Sequence, residues 1–308
     1  MKKVMITGAA GLIGRMLRAR WRNQWALVLV DRAEMAPAGS HETVVRCDLS
    51  DHDAMQRAMQ GVDAVVHLGG ISTEASWADI RDSNIEGCYQ TFEAARLAGV
   101  RRIVFASSNH AIGFYPRSTP LTGAEPVRPD TRYGVSKAFG EALSSYYADK
   151  FGLSAVCLRI GTARSPDEPG ELRHLSTWIS HRDLAHLIER SIEADVHFEI
   201  VFGASNNREG WWPDDAQRRI GYRPQDSADD WRGQVTEHAN DRDPIARSLQ
   251  GGIYCSWENT RGAAPGRRFS ASLSGLDRSA PSGYTQSAPS GGPAPDTQKN
   301  TSGDQHAT

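Results

Sequence analysis

The sequence predicts an α/β fold, a doubly wound parallel sheet with a small irregular C-terminal lobe, and three observations carry that reading. Short apolar, β-rich runs alternate with longer stretches of helical spacing as far as Ile160. The first run empties into a glycine-rich turn that opens a helix, and the second closes on an acid. Strands that alternate with helices imply βαβ units, and right-handed crossovers between them wind a parallel sheet.

KVMIT supplies a strand over 2–7, and GLIGRMLRARWRNQ a helix over 11–24. ALVLVD (26–31) and TVVRC (43–47) are buried strands, followed by the helix DHDAMQRAMQ, for which Ser50 is the expected N-cap. DAVVHL (63–68) is a fourth strand. Residues 80–97 read as one long helix stopped by Gly99. RRIVFAS (101–107) is a fifth strand, residues 133–151 a helix, and SAVCLRI (154–160) a sixth strand. Beyond it lie a loop, PDEPGE (166–171), a helix over 181–193, a strand, HFEIVFG (197–203), and a polar stretch, NNREGWWPDD (206–215). The half over 161–258 is expected to fold onto the carboxyl edge of the sheet as the substrate lobe of a domain spanning 1–258. Over 259–308 Ser, Gly, Pro and Ala dominate, and all 8 tryptophans lie earlier. Such a composition buries too little apolar area to offset its ordering entropy, so a disordered tail is expected.

Of the 308 residues 39% are hydrophobic and 23% charged, which suits a packed core. A net charge of −2 gives no electrostatic ground for nucleic acid or an anionic membrane as partner. No stretch approaches the ~20 apolar residues of a membrane span. Cys47, Cys88, Cys157 and Cys255 form no CxxC pair, which suggests reduced thiols and a cytoplasmic protein. His181, Asp183 and His186 match no usual ligand spacing, so no metal is expected.

The turn Gly8-Ala9-Ala10-Gly11-Leu12-Ile13-Gly14 has a strand before it and a helix after it. Gly8 permits the turn, Gly11 lets backbone approach a pyrophosphate, and Gly14 lets helix and sheet pack closely. The helix N-terminus offers N–H donors to phosphate. Asp31, closing the second strand, can accept from ribose hydroxyls and would repel a 2′-phosphate, so the expected cofactor is NAD, although Arg32 and Arg15 lie near with the opposite sign. Asp48 and Leu49 follow the third strand, where Asp48 either contacts adenine or caps the next helix. Leu68, Gly69 and Gly70 follow the fourth strand and complete this Rossmann-type set with Leu12 and Ile13.

Tyr133 and Lys137 stand one helical turn apart on one face. A free phenol has a pKa near ~10, too high for a base at neutral pH. The Lys137 ammonium and the cofactor's positive ring are expected to lower it, with Ser108 holding the reacting oxygen and Lys137 reaching the cofactor as well.

Tyr133, Lys137, Ser108 and TGAAGLIG together resemble the extended short-chain dehydrogenase/reductase family, and Asn84 in SNIEG matches an Asn of that family. HLGGIS (67–72), FASSNHAIGFYP (105–116), YGVSK (133–137), LSTWISHRDL (175–184) and EGWWPD (209–214) look like uronate dehydrogenases within it. The resemblance implies oxidation of a hexuronate, D-glucuronate or D-galacturonate, at C1 to the aldarolactone with NAD. It implies that Ser72, Ser108, Asn109, His110 and Thr162 line the sugar and that Arg173 holds its carboxylate. Short polar groups suit a polyol, and a guanidinium fork suits a carboxylate. Other roles stay open: a local hydrogen bond for His110, a turn for Asn109, pairing of Arg173 with Asp167, Glu168 or Glu171, and packing for Trp211 and Trp212. The alternatives are a sugar-nucleotide epimerase or dehydratase, which needs a larger C-terminal lobe, and a non-catalytic NAD-binding protein, whose usual mark is a lost Tyr or Lys. A homo-oligomer is expected.

Overall fold

Seven strands, β1 (Lys3–Thr7), β2 (Ala26–Asp31), β3 (Glu42–Arg46), β4 (Ala64–His67), β5 (Arg102–Ser108), β6 (Ser154–Ile160) and β7 (Phe198–Gly203), are present in the computed structural model, which describes residues 1–213 and 218–260. They pair in parallel in the order β3-β2-β1-β4-β5-β6-β7. Helices α1 (Leu12–Trp21), α2 (His52–Ala58), α3 (Trp77–Ile80), α4 (Gly87–Leu97), α5 (Arg132–Phe151), α6 (His174–Thr177) and α7 (His181–Glu193) make the crossovers and the start of the lobe.

The apolar runs are continuous because both faces of the sheet are covered, as parallel sheets require. Val4, Ile6, Leu27, Leu29 and Leu158 pack on one face with Leu17 and Trp21 of α1 and Leu184, Leu187 and Ile188 of α7. The alternate residues Met5, Val28, Val30, Ile103 and Cys157 pack on the other with Met55 of α2, Phe92 of α4 and Tyr147 of α5. A strand's period of two sorts them.

Two local expectations are corrected. Asp51, not Ser50, caps α2 by accepting from the Ala54 amide, and Asp48 turns back onto the Ser50 amide and hydroxyl, so it is not a cap either. The helix expected over 80–97 starts earlier, with α3, and passes through a π-helical turn, Arg81–Glu86, before α4. That turn carries Asn84, which bonds the Ile71 amide (2.7 Å) and carbonyl (2.9 Å) and Ser136 of α5 (3.0 Å). A wider turn re-aims one side chain without ending the helix. Of the tail expected over 259–308, residues 261–308 lie outside the described residues.

β4 ends on His67, buried beside Phe92 and Phe105 with Nδ1 2.7 Å from Thr7 Oγ1. Burial, aided by the charge of Lys137, lowers its pKa from 6.5 to about 3. The folded state therefore refuses a proton that the unfolded chain accepts below pH 6.5. Stability is retained above that pH and falls as pH drops toward 3, by about 2 kcal/mol at roughly pH 5 from this group alone. In urea titrations His67→Asn should flatten the acid limb of the stability curve. An unchanged slope would assign that loss to other groups.

Candidate active site

β1 and β4 flank the point where strand order reverses, and a cleft of about 310 Å³ opens at their carboxyl ends. Gly8, Gly11, Leu12, Ile13, Gly14, Asp31, Arg32, Asp48, Leu49, Leu68, Gly69 and Gly70 all line it, and Lys137 does not. Ser72, expected on the sugar, lines this cleft too, as do Cys47, Ile71, Ser83 and Ala163, to which the sequence assigned no site role. Gly8 has φ +69°, and a Cβ there would stand 2.9 Å from the backbone of Leu68 and Gly69. A Cβ on Gly14 would fall 2.5 Å from the Gly8 carbonyl, so the start of α1 sits directly on the turn.

The donor set fits a dinucleotide. Helix α1 starts at Gly11 with no side-chain cap and no acid in its first turn, which leaves its N–H groups open to an anion. Asp31 is held by the Ala10 and Ala33 amides, each at 2.9 Å. Each carboxylate oxygen keeps a further lone pair for a ribose hydroxyl. Asp48 is held below the usual carboxylate range by the Ser50 amide and hydroxyl.

Ser108 ends β5, and Tyr133 and Lys137 lie on the buried side of α5. The helix start is fixed twice: Thr131 caps it at the Gly134 amide (3.0 Å), and Glu74 accepts from the Tyr133 amide (2.9 Å) while pairing with Arg132 (2.6 Å). Lys137 Nζ lies 5.4 Å from the Tyr133 ring centroid and 5.2 Å from that of Phe105. It forms no ion pair among the described residues, and burial lowers it to about 8. Burial pushes the Tyr133 phenol up to about 12, while the nearby Ser108 hydroxyl pulls the other way. The expected lowering of Tyr133 by Lys137 is therefore absent in the protein alone. The ammonium sits over the ring rather than at the hydroxyl, and desolvation of the phenolate is the largest influence on the phenol.

Arg173, Thr162 and Asn109 come together on the far side. The guanidinium is buried and donates through Nε to the Gln250 carbonyl (2.9 Å) and through Nη1 to Thr162 Oγ1 (3.4 Å). Asn109, with its amide oriented to satisfy both neighbours, donates to the Ile160 carbonyl (3.2 Å) and accepts from Arg173 Nη2 (2.6 Å). None of the three nearby acids pairs directly with Arg173: Glu171 bonds His174 and Asn240, Asp167 accepts from the His181 amide, and Glu168 meets Arg164 through its backbone carbonyl. No described carboxylate lies within 4.0 Å of Arg173, whose pKa burial lowers. Two of its five N–H donors remain available. Trp212 packs flat on Phe202 (4.8 Å), whereas the Trp211 ring lies beneath the guanidiniums of Arg117 (5.0 Å) and Arg173 (5.9 Å). His110 stacks on Tyr254 and meets the edge of Tyr133. Sequence reasoning missed Glu74, Asp130, Gln250 and Tyr254. Each acts across the fold, and none sits in a motif.

The model of the NAD dependent epimerase/dehydratase family matches residues 4–197. The uronate dehydrogenase of Agrobacterium fabrum is 45% identical over 259 residues, covering 82% of this chain and 97% of its own. That of Pseudomonas syringae pv. tomato is 43% identical over 257 residues, 82% and 92% of the two chains. Among solved structures, a mutant uronate dehydrogenase from Agrobacterium tumefaciens complexed with NAD superimposes with a TM-score of 0.78 at 42% identity, covering 83% of this chain and 97% of that one.

Proposed function

The chain belongs to the NAD dependent epimerase/dehydratase family, alongside the uronate dehydrogenases, and from that premise we propose how its residues divide the work. The reaction is the NAD-dependent oxidation of a hexuronate at C1 to the aldarolactone. One observation supports the substrate class above the others: a buried guanidinium, Arg173, with two unused donors and no described carboxylate within 4.0 Å, the charges of Glu171 and Asp130 acting on it only from further away. A buried cation with no carboxylate in direct contact is costly, and a substrate carboxylate supplies that contact. Thr162, Asn109, His110 and Ser108 offer the short polar groups a polyol requires.

Tyr133 Oη takes the proton of the C1 hydroxyl, Ser108 Oγ holds the same oxygen, and Lys137 contributes positive charge on the other side of the ring. When bound, NAD would supply the hydride acceptor for C1, and Asp31 and the start of α1 would hold its ribose and pyrophosphate. Asp31→Ala should raise KM for NAD by about 10- to 100-fold, the effect of one or two charge-assisted hydrogen bonds, and narrow the gap to NADP. A wild-type preference for NADP would overturn this assignment.

The deciding assay follows NADH formation with free uronates, aldoses and nucleotide sugars. Net NADH from uronates is expected. Turnover of nucleotide sugars with no net NADH would mark an epimerase. A homo-oligomer belongs to the same reading, supported by exposed Tyr89 and Leu97 on α4 and Tyr146 and Phe151 on α5. A monomer mass by light scattering removes it. A cytoplasmic setting is supported by four free thiols. No described helix is long and apolar enough to cross a membrane.

A further inference from the structure

His110 sits in the 3₁₀ turn after β5, and Asp130 sits just before α5. The Asp130 side chain has no exposed surface and is enclosed by the backbone of Gly113 and Gly251. Its Oδ1 accepts from the Thr131 hydroxyl (2.9 Å), and its Oδ2 lies 2.7 Å from His110 Nδ1. A carboxylate can only accept, so Nδ1 carries the hydrogen and donates it. Neutral imidazole then has a bare Nε2, an acceptor. The ring is fixed in place: it stacks on Tyr254 at 4.1 Å, Tyr254 Oη is held by Thr73 (2.9 Å), and its edge meets Tyr133 at 5.9 Å. Nε2 has no partner among the described residues, in a side chain that keeps 13% of its surface exposed.

We propose that Asp130 is a positioning residue that locks His110 in its Nδ1–H tautomer, so that Nε2 accepts a hydrogen bond from a sugar hydroxyl bound beside Tyr133. This rests on the reading of the site as a sugar site. Free imidazole favours the opposite tautomer, with hydrogen on Nε2. Without Asp130 the nitrogen left for the substrate becomes a donor and meets the hydroxyl with the wrong polarity. The pair thereby selects a substrate that presents a hydroxyl, rather than an ether or a bare carbon, at this position.

The test combines long-range ¹⁵N–¹H NMR of the histidine rings, with His110 assigned by its loss in His110→Gln, and kinetics. Wild type should show hydrogen on Nδ1 of His110. Asp130→Leu should move it to Nε2 and lower kcat/KM for the uronate by about 10- to 100-fold. Asp130→Asn, which keeps an acceptor oxygen, should recover part of that loss. In a His110→Gln background Asp130→Leu should cost nothing further, because the two act as one unit. Hydrogen on Nε2 in the wild type overturns the proposal, and that measurement needs no variant to fold. Losses that multiply across the double variant, with an unchanged tautomer, overturn it in favour of a structural prop. A wild-type enzyme with hydrogen on Nδ1 but no turnover of any uronate would uphold the tautomer lock and sink the sugar reading instead.

Discussion

Tyr133→Phe should lower kcat by at least about 100-fold while leaving NAD binding nearly unchanged, the usual scale for loss of a general base. The substitution is clean because phenylalanine keeps the ring. The edge contact with His110 and the neighbourhood of Lys137 stay filled, and only the hydroxyl is lost. The cost to folding is about 1 kcal/mol, so the loss of turnover reads chemistry rather than stability. The phenol stands at about 12 in the protein alone, well above its ordinary value. Its base form therefore grows as pH rises, and wild-type kcat/KM should climb from neutral into mildly alkaline solution. The rise should level off above about pH 8, where each further gain in phenolate is offset by lost charge on Lys137, at about 8. Tyr133→Phe should lose this profile along with its rate. Turnover by NADH absorbance and NAD affinity by calorimetry check both halves. Near-normal turnover would move the base to another residue.

Arg173→Met should lower kcat/KM for a hexuronate by roughly 30- to 1,000-fold, equivalent to about 2–4 kcal/mol for one desolvated charge pair. Methionine refills the aliphatic stem beside Trp211 but offers the carboxylate nothing. Glucose presents the same hemiacetal without the charge, so its slow oxidation should change far less. The loss should appear in KM if the contact is equally strong in ground and transition states. Arg173 also braces the Gln250 carbonyl, and that contribution affects both sugars alike. Equal losses on glucose and glucuronate would therefore make bracing its whole role.

The parallel sheet was legible because the central strands are continuous apolar runs closed by a glycine, an acid or a polar turn, whereas edge strand β3, expected to be buried, has no fully buried residue. β2 and β6 match their predicted bounds to the residue, since both faces of those strands are buried. The cofactor half was legible for a related reason. Its contacts are local: a turn, the helix it opens and the residue ending the next strand. The π-turn that places Asn84 was not legible, because its six residues, RDSNIE, differ in no pattern from helix. Nor were the groups that decide what Arg173 and His110 do. The acids two to six residues before Arg173 suggested pairing, yet Glu171 and Asp167 find partners at 174, 181 and 240, and Glu168 meets Arg164 only through its backbone. Asp130 and Tyr254 reach His110 across 20 and 144 residues of chain, and a lone Asp before a helix reads as nothing more than a cap.

Gln250 and Tyr254, which back Arg173 and His110 in the proposed sugar site, are among the last described residues. A ribosome delivers the chain from the other end. The glycine turn, Asp31 and the loop after β4 emerge early, while Arg173 waits for its carbonyl and His110 for its cover until some 80 further residues have followed β6 and the start of the lobe. Capture of the dinucleotide is thus the first competence a growing chain can acquire, and turnover the last. A chain interrupted before residue 250 has every group that lines the cofactor cleft and lacks the residues that back the proposed sugar site.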